Sequence, residues 1–352
     1  MSLMTNETIS YMDKKVFIGI DVHRHSYAVT ALCDGVVIKS WRMESNPRDL
    51  VFKLQNYFNG ANLLTCYEAG FSGFSLHRIL TASGIENYVI NAASLEVSSR
   101  DRVKTDKKDS RKLAIQLSVG RLRSIRVPSE EQELARDISR VRGQQIRSRN
   151  RIMNQLRMKL HYFGFFPSTY KGVLQKKFVL EVAKAQGAEL RLSLESLCSI
   201  WGALDKEILN LNKQLREQAK VDPLDSIYRS IPGIGPVSTR VLSTELGDMT
   251  QFSNERALFS FTGLTPMEFS SGENRRLGKI SRQGNSRIRH VLVEAAWVAI
   301  RKDKELKRAF DRISIRAGKK RAIVAIARKL IGRARALSRS KVLYELEHSE
   351  AA

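Results

Sequence analysis

The stretch VFIGIDVHRHSYAVTALCDGVVIKSWRM, residues 16–43, constrains the fold of this chain more than any other. VFIGIDV and SYAVTALC are short β-rich runs that read as strands. Asp34-Gly35 between SYAVTALC and VVIKSW is a dipeptide that two-residue hairpin turns favour, because their central residues need positive φ. The pattern then alternates. A helix is expected over 47–58, a buried strand at NLLTCYE, a helix at GFSLHRILTASG with a glycine stop, and a further strand at IENYVIN. Three early strands followed by alternating helix and strand define an α/β domain. TDKKDSRKLAIQL opens another helix, with Thr105 as its N-cap.

The texture changes at Pro128, so the first domain is placed at 1–128. Residues 129–163 contain no proline and set Leu134, Ile138, Val141, Ile152, Leu156 and Leu160 among charged residues, which predicts a long helix with a narrow apolar stripe. A sharper pattern follows. Leu194, Leu197, Trp201, Leu204, Ile208, Leu211 and Leu215 alternate steps of three and four, the spacing of a coiled-coil seam. That seam serves either between these two helices or between subunits, and an amphipathic helix on an ordinary core gives the same spacing. Residues 129–220 are accordingly read as a helical coiled-coil connector.

The region 221–352 begins with IPGIGPVSTRVLSTELGD, which has the form of a helix–hairpin–helix element. In such an element Gly233 and Gly235 let backbone amides approach a phosphate at a helix start. A polar, glycine-bearing basic loop comes next, then a helix from about Ser286. The tail from Arg301 to Lys341 holds 16 Lys or Arg against 3 acids, with apolar residues between them, and is expected to be helical.

Charge narrows the partner. Lys and Arg number 60 against 36 Asp and Glu, a formal net charge of +24. A chain this basic is expected to meet a polyanion, with nucleic acid the first choice. An anionic membrane is the alternative, but no apolar run is long enough to span a bilayer and MSLMTNETIS does not resemble a signal peptide. The three cysteines, Cys33, Cys66 and Cys198, are scattered without metal-ligand spacing, which fits a reducing cytoplasm.

Acids stand where α/β folds display functional groups. Asp21 ends the first strand, Glu68 closes NLLTCYE, and Asp106 and Asp109 share one face of an opening helical turn. Clustered carboxylates stay ionised together only with metal. Mg²⁺ is held by a few carboxylates and completes its shell with water and phosphate. Two such ions stabilise the attacking and leaving oxygens of a phosphodiester. Singly, each acid has a structural use, as a turn former, a cap or a partner of the helix dipole. As a set they point to a ribonuclease-H-like metal site. GID also opens the actin-like ATPase and sugar-kinase fold, but VHRHS follows here in place of a phosphate loop. His23 and His25 are explained by alternation on a strand as readily as by ligation.

Taken in order, IGIDVHRHSYAV, YEAGFSGFSLHRIL, DRVKTDKKDSRKLA, IPGIGPVSTRVL and GLTPMEFSSGENRRLGKISRQGNSRIRHVLVEAAW resemble the DEDD transposases of the insertion-sequence one-ten family, over about residues 16–335. The resemblance implies an N-terminal RuvC-like domain of RNase H fold, a coiled-coil connector and a mostly α-helical C-terminal transposase domain. It implies that Asp21, Glu68, Asp106 and Asp109 are the four metal-binding acids, with Mg²⁺ as cofactor. It also implies a serine nucleophile. A P-x-x-x-x-S-G context selects Ser271 within PMEFSSG, with Ser270 one residue away as the alternative. Arg275, Arg276, Lys279, Arg282, Arg287 and Arg289 follow closely and are expected to neutralise phosphate.

The implied reaction is DNA recombination through a covalent phosphoserine. Nucleophile and acids lie in different domains and are expected to meet in a homo-oligomer, dimer or tetramer. A structured non-coding RNA is expected to choose donor and target DNA. Two rivals remain: a RuvC-like junction nuclease that uses the same acids with water, and a non-catalytic nucleic-acid-binding protein.

Overall fold

The computed structural model describes residues 10–91, 95, 105–166, 172–269 and 276–345. The chain divides into two compact units, Met1–Val127 and Pro128–Ala352.

In the first unit, β1 (Lys15–Val22), β2 (Ser26–Cys33) and β3 (Val36–Glu44) form an antiparallel meander. The β2–β3 turn holds Asp34 at φ 50° and Gly35 at φ 79°, the positive values that its Asp-Gly sequence predicts. α1 (Pro47–Tyr57) starts on Asn46, whose side chain accepts from the amides of Arg48 and Asp49. β4 (Asn62–Glu68) returns parallel to β1, α2 (Ser75–Ala82) crosses over, and β5 (Glu86–Ile90) runs parallel to β4. The sheet order is β3-β2-β1-β4-β5, with β2 alone antiparallel to the rest. This mixed α/β arrangement is consistent with the RNase H-like domain expected here.

Strand parity sorts the two faces. Val16, Ile18 and Ile20 of β1 are fully buried in one core with Leu50, Leu54, Leu76 and Leu80 of the helices α1 and α2. Phe17 and, from β4, Leu64 and Cys66 belong to a smaller core on the opposite face. There they meet Leu113 and Leu117 of α3 (Asp106–Ser118). Each leucine buried this way contributes about 1.5–3 kcal/mol.

The approach of α3 to the sheet depends on Gly19. A Cβ there would lie 2.0 Å from the carbonyl oxygen of Ser110 and 2.5 Å from the amide nitrogen of Ala114. Any side chain would lift the helix from β1. A buried hydroxyl pair, Thr30 Oγ1 to Ser110 Oγ at 2.8 Å, ties the same turn to β2.

The second unit is mostly helical. α4 (Glu130–Tyr162) begins with a capping box between Ser129 and Gln132. α5 (Lys176–Lys184) and α6 (Ala188–Val221) pack with it around Leu156, Leu160, Leu194 and Trp201. Leu194, Trp201, Ile208 and Leu215, seven apart, are buried, whereas Leu197, Leu204 and Leu211 are half-buried. The stripe expected on α4 is buried only at its end, at Leu156 and Leu160, while Leu134 is 72% exposed. The earlier half of α4 meets its neighbour through arginine instead: Arg136 Nε donates to the Thr244 carbonyl at 2.7 Å.

The remaining helices are α7 (Pro223–Ser230), α8 (Pro236–Leu246), α9 (Glu255–Thr262), α10 (Ser286–Lys302), α11 (Lys304–Ala317) and α12 (Lys319–Ser340). They enclose one core that includes Tyr228, Leu242, Leu292, Ala296, Ile326 and Leu330. The basic tail is helical, as its spacing predicts, with a break at Gly318. Within the segment read as a polar loop, β6 (Pro266–Glu268) and β7 (Leu277–Ile280) pair as a short antiparallel ladder. Both the expected connector, 129–220, and the expected C-terminal region, 221–352, fall in this second unit. Among the described residues, no helix is long and apolar enough to cross a membrane.

Candidate active site

The parity that sorts the sheet also places the acids. Asp21 follows Phe17 and Gly19 at two-residue steps, so it lies on the α3 face near the carboxyl end of β1. Glu68 follows Leu64 and Cys66 in the same way on β4. The parallel register pairs Ile20 with Tyr67, and Asp21 and Glu68 are the next residues on each strand. Asp106 and Asp109 occupy the first turn of α3, which Thr105 caps by accepting from the Lys108 amide at 3.4 Å.

Asp21 and Asp106 are brought together with a third side chain. His23 Nε2 lies 3.1 Å from Asp21 Oδ2 and 3.2 Å from Asp106 Oδ1. The contacting atoms of the three residues all lie within 4.8 Å of one another. Arg42 Nη2 stands 3.7 Å from the other oxygen of Asp106, and its guanidinium also donates to Ser26 Oγ. Burial pushes the Asp21 carboxyl above its usual range. The His23 ring opposes this, and the charges of Asp109 and Asp106 add to it. Asp109 is thus close enough to be felt by Asp21, and Glu68 is felt by buried Cys66, whose thiol is raised by burial first and by that carboxylate second. A cleft of about 520 Å³ opens beside Asp106, lined by Ser40, Trp41, Arg42, Thr105, Lys107 and Ser110 among others.

The donor set suits a divalent metal. It offers carboxylate oxygens from Asp21 of β1 and Asp106 of α3, the ligands hard cations take, and Asp21 is held in a setting that disfavours its ionised form unless positive charge arrives. Sequence reasoning left His23 open between strand alternation and ligation. β1 ends at Val22, so strand alternation does not govern the histidine, and its amide instead donates to Ser26 O at 2.9 Å across the turn to β2. The signal available was its place two residues after Asp21, just past the end of the strand.

The expected nucleophile, Ser271, its neighbour Ser270 and Arg275 lie outside the described residues. What flanks them is described. Phe269 N donates to Arg276 O at 2.9 Å and Ser281 N to Thr265 O at 2.8 Å, extending the β6–β7 ladder. Arg276, Lys279 and Arg282 are exposed, while Arg287 and Arg289 are half-buried. Arg289 has a structural task, donating to Thr262 O at 3.0 Å; burial, with help from nearby Arg282, lowers its pKa. Gly233 takes φ +88°, and a Cβ there would lie 2.3 Å from Ala295 O, so its close approach is to the backbone of α10. Gly235 is the N-cap of α8.

A group that sequence reasoning missed lies among the helices of the second unit. Buried Glu245 accepts from Arg140 Nε at 2.9 Å, Arg140 Nη2 at 3.0 Å and Asn285 Nδ2 at 3.0 Å. Asn285 in turn caps α10 by accepting from the amides of Arg287 and Ile288. One carboxylate therefore joins α4, α8 and the start of α10.

Comparison with known proteins agrees with both units. A family profile described as a transposase, of the DEDD type named for IS110, matches residues 18–164. The profile of the "Transposase IS116/IS110/IS902 family" matches residues 225–311. The chain is 26% identical over 263 residues to the transposase for insertion sequence element IS1111A of Coxiella burnetii, covering 72% of this chain and 71% of that protein. It is 25% identical over 308 residues to the transposase for insertion sequence element IS1533 of Leptospira borgpetersenii, covering 81% and 86%. A mixed sheet with acids at its carboxyl edge, followed by a helical unit, is here the framework of a DEDD transposase, an enzyme that cuts and rejoins DNA. The chain carries IS110 family transposase domains in both units. A DEDD domain implies use of a divalent metal, and DNA is the substrate.

Proposed function

We propose that the chain is the transposase of an insertion sequence and recombines DNA through a phosphoserine at Ser271. Asp21, Glu68, Asp106 and Asp109 hold the divalent metal, Mg²⁺ as a pair of ions. The observation that carries this reading is the gathering of Asp21 and Asp106, with Asp109 near them, at the edge where Glu68 ends the next strand.

The metal supplies positive charge against the phosphodiester oxygens. The chain's own residues do the rest. Ser271 Oγ attacks phosphorus, an Oγ–P bond forms, and one bridging P–O bond breaks to leave a hydroxyl on the freed DNA end. The hydroxyl of the exchanged strand then attacks the phosphoserine and restores the serine. Arg275, Arg276, Lys279, Arg282 and Arg287 neutralise phosphate, with Arg289 holding the backbone beneath them. The turn between α7 and α8 serves as a helix–hairpin–helix contact to the DNA backbone. The formal charge of +24 supports a larger polyanionic load, and the reading includes a structured non-coding guide RNA paired with donor and target. The half-buried edge of α6, at Leu197, Leu204 and Leu211, supports a homo-oligomer, dimer or tetramer, arranged through a coiled coil.

The test is to incubate the protein, its RNA and end-labelled DNA, denature, and resolve protein–DNA adducts. The parent protein and Ser270→Ala should yield an adduct, and Ser271→Ala should yield none. Cleavage without an adduct in the parent protein would mean hydrolysis by water and end the phosphoserine reading.

A further inference from the structure

The acids expected in this site are four carboxylates, yet the side chain standing between two of them is an imidazole. His23 Nε2 is almost equidistant from Asp21 Oδ2 and Asp106 Oδ1, at 3.1 and 3.2 Å. A ring nitrogen carries one hydrogen and can point it squarely at one oxygen only. Equal spacing to two carboxylates is instead the geometry of donors that share an ion. Neighbouring ligands of an octahedral metal, each about 2.1 Å from it, stand about 3.0 Å apart.

Two further observations fix the ring in this place. The His23 amide is bonded to Ser26 O, so the turn after β1 holds the backbone from which the ring projects. Arg42 stands on the Oδ2 side of Asp106, which leaves Oδ1 toward His23.

We propose that His23 is a direct ligand of the divalent metal, beside Asp21 and Asp106. The consequence is selectivity. Mg²⁺ prefers oxygen and water, whereas Mn²⁺, although it also takes carboxylates, accepts an imidazole nitrogen more readily. The site therefore takes Mn²⁺ more tightly than Mg²⁺, and His23 is the residue that sets the difference. This rests on the reading of the carboxylates as metal ligands, so the experiment separates the two.

Mn²⁺ and Mg²⁺ binding is measured by calorimetry on the full-length protein and on His23→Ala, His25→Ala and Asp21→Asn. Electron spin-echo spectra of the Mn²⁺-loaded proteins report whether an imidazole nitrogen is bound, and circular dichroism verifies folding. The expected result is tighter Mn²⁺ than Mg²⁺ binding in the parent protein, with imidazole nitrogen modulation. His23→Ala loses that modulation and weakens Mn²⁺ at least about tenfold, since loss of even a supporting partner of a ligand costs that much. Its Mg²⁺ affinity changes less, and His25→Ala behaves as the parent. If Asp21→Asn abolishes binding while His23→Ala binds Mn²⁺ as the parent does, or the parent shows no imidazole nitrogen, His23 is not a ligand and the carboxylate reading survives. If Asp21→Asn binds both ions as the parent does, the carboxylate reading and this inference fall together.

Discussion

The two units treat clustered charge in opposite ways. In the second, charges are matched. Glu245 meets Arg140 and Asn285, and Arg240 meets Asp222 at 2.8 Å and Asp225 at 3.1 Å. Arg333 bridges Asp303 at 3.0 Å and also pairs with Glu305. In the first, like charges are gathered. Asp21, Asp106 and Asp109 crowd one edge with a histidine between two of them, and Asp21 is pushed above its usual range. Matched burial is what a scaffold needs, because an unpaired partner in low dielectric is costly. Gathered like charge costs stability and persists where a ligand relieves it. On the proposed function, the contrast separates the acids that hold this protein together from those that bind metal.

The largest expected effect tests the matched side. Glu245→Ala leaves the Arg140 guanidinium and the Asn285 amide without their shared acceptor. We expect a loss of about 3 kcal/mol, low in the range for a broken buried pair, because the Arg140 side chain is 37% exposed. Urea unfolding at unchanged m-value measures it. A loss too small to resolve would break the comparison, since Glu245 would then be no scaffold charge.

A smaller effect tests how the gathered acids are held. The acids cannot bridge one another, and besides the contacts of His23 and Arg42 the close approach of α3 at Gly19 holds them in place. Gly19→Ala should cost about 1–3 kcal/mol, as overpacking does, and should remove divalent-metal binding because Asp106 and Asp109 move with the helix. Retained metal affinity in a destabilised Gly19→Ala protein would show that the acids are placed by something else.

The smallest effect is one of pH. The Asp21 carboxyl is raised by burial first, with Asp109 and Asp106 adding to it, so the metal-free folded state binds its proton more tightly than the unfolded chain. Folding stability from this group is therefore greatest at low pH. It declines as pH rises from the ordinary aspartate value through the higher folded one. Asp21→Asn does not titrate, so it should gain on the parent protein across that window, and added Mn²⁺ should reverse the order above it. Parallel stability curves for the two proteins would show that Asp21 is not under strain.

Much of this was legible in the sequence for local reasons. The Asp34-Gly35 turn, the strand runs, the Thr105 cap and the long helices α4 and α6 follow from φ preferences and periodicity within a few residues. Glu68 and Asp21 could be marked as strand-end acids, because alternation is a property of one strand at a time. The basic composition named the polyanionic partner, since charge adds without regard to fold.

Tertiary structure decided the rest. Only sheet pairing put β1 beside β4, so that two strand ends present their acids on one face. The need for glycine at position 19 came from the backbone of α3, far along the chain, and no local pattern around GIDV announces it. His23 became a site residue because β1 stops at Val22 and the turn aims the ring at Asp106. Glu245 reads as an ordinary helical acid until Arg140 and Asn285 reach it from two other elements. Local preferences act over a few bonds and can be read from the string. Contacts between distant residues depend on how whole elements pack, and that exists only once the chain has folded.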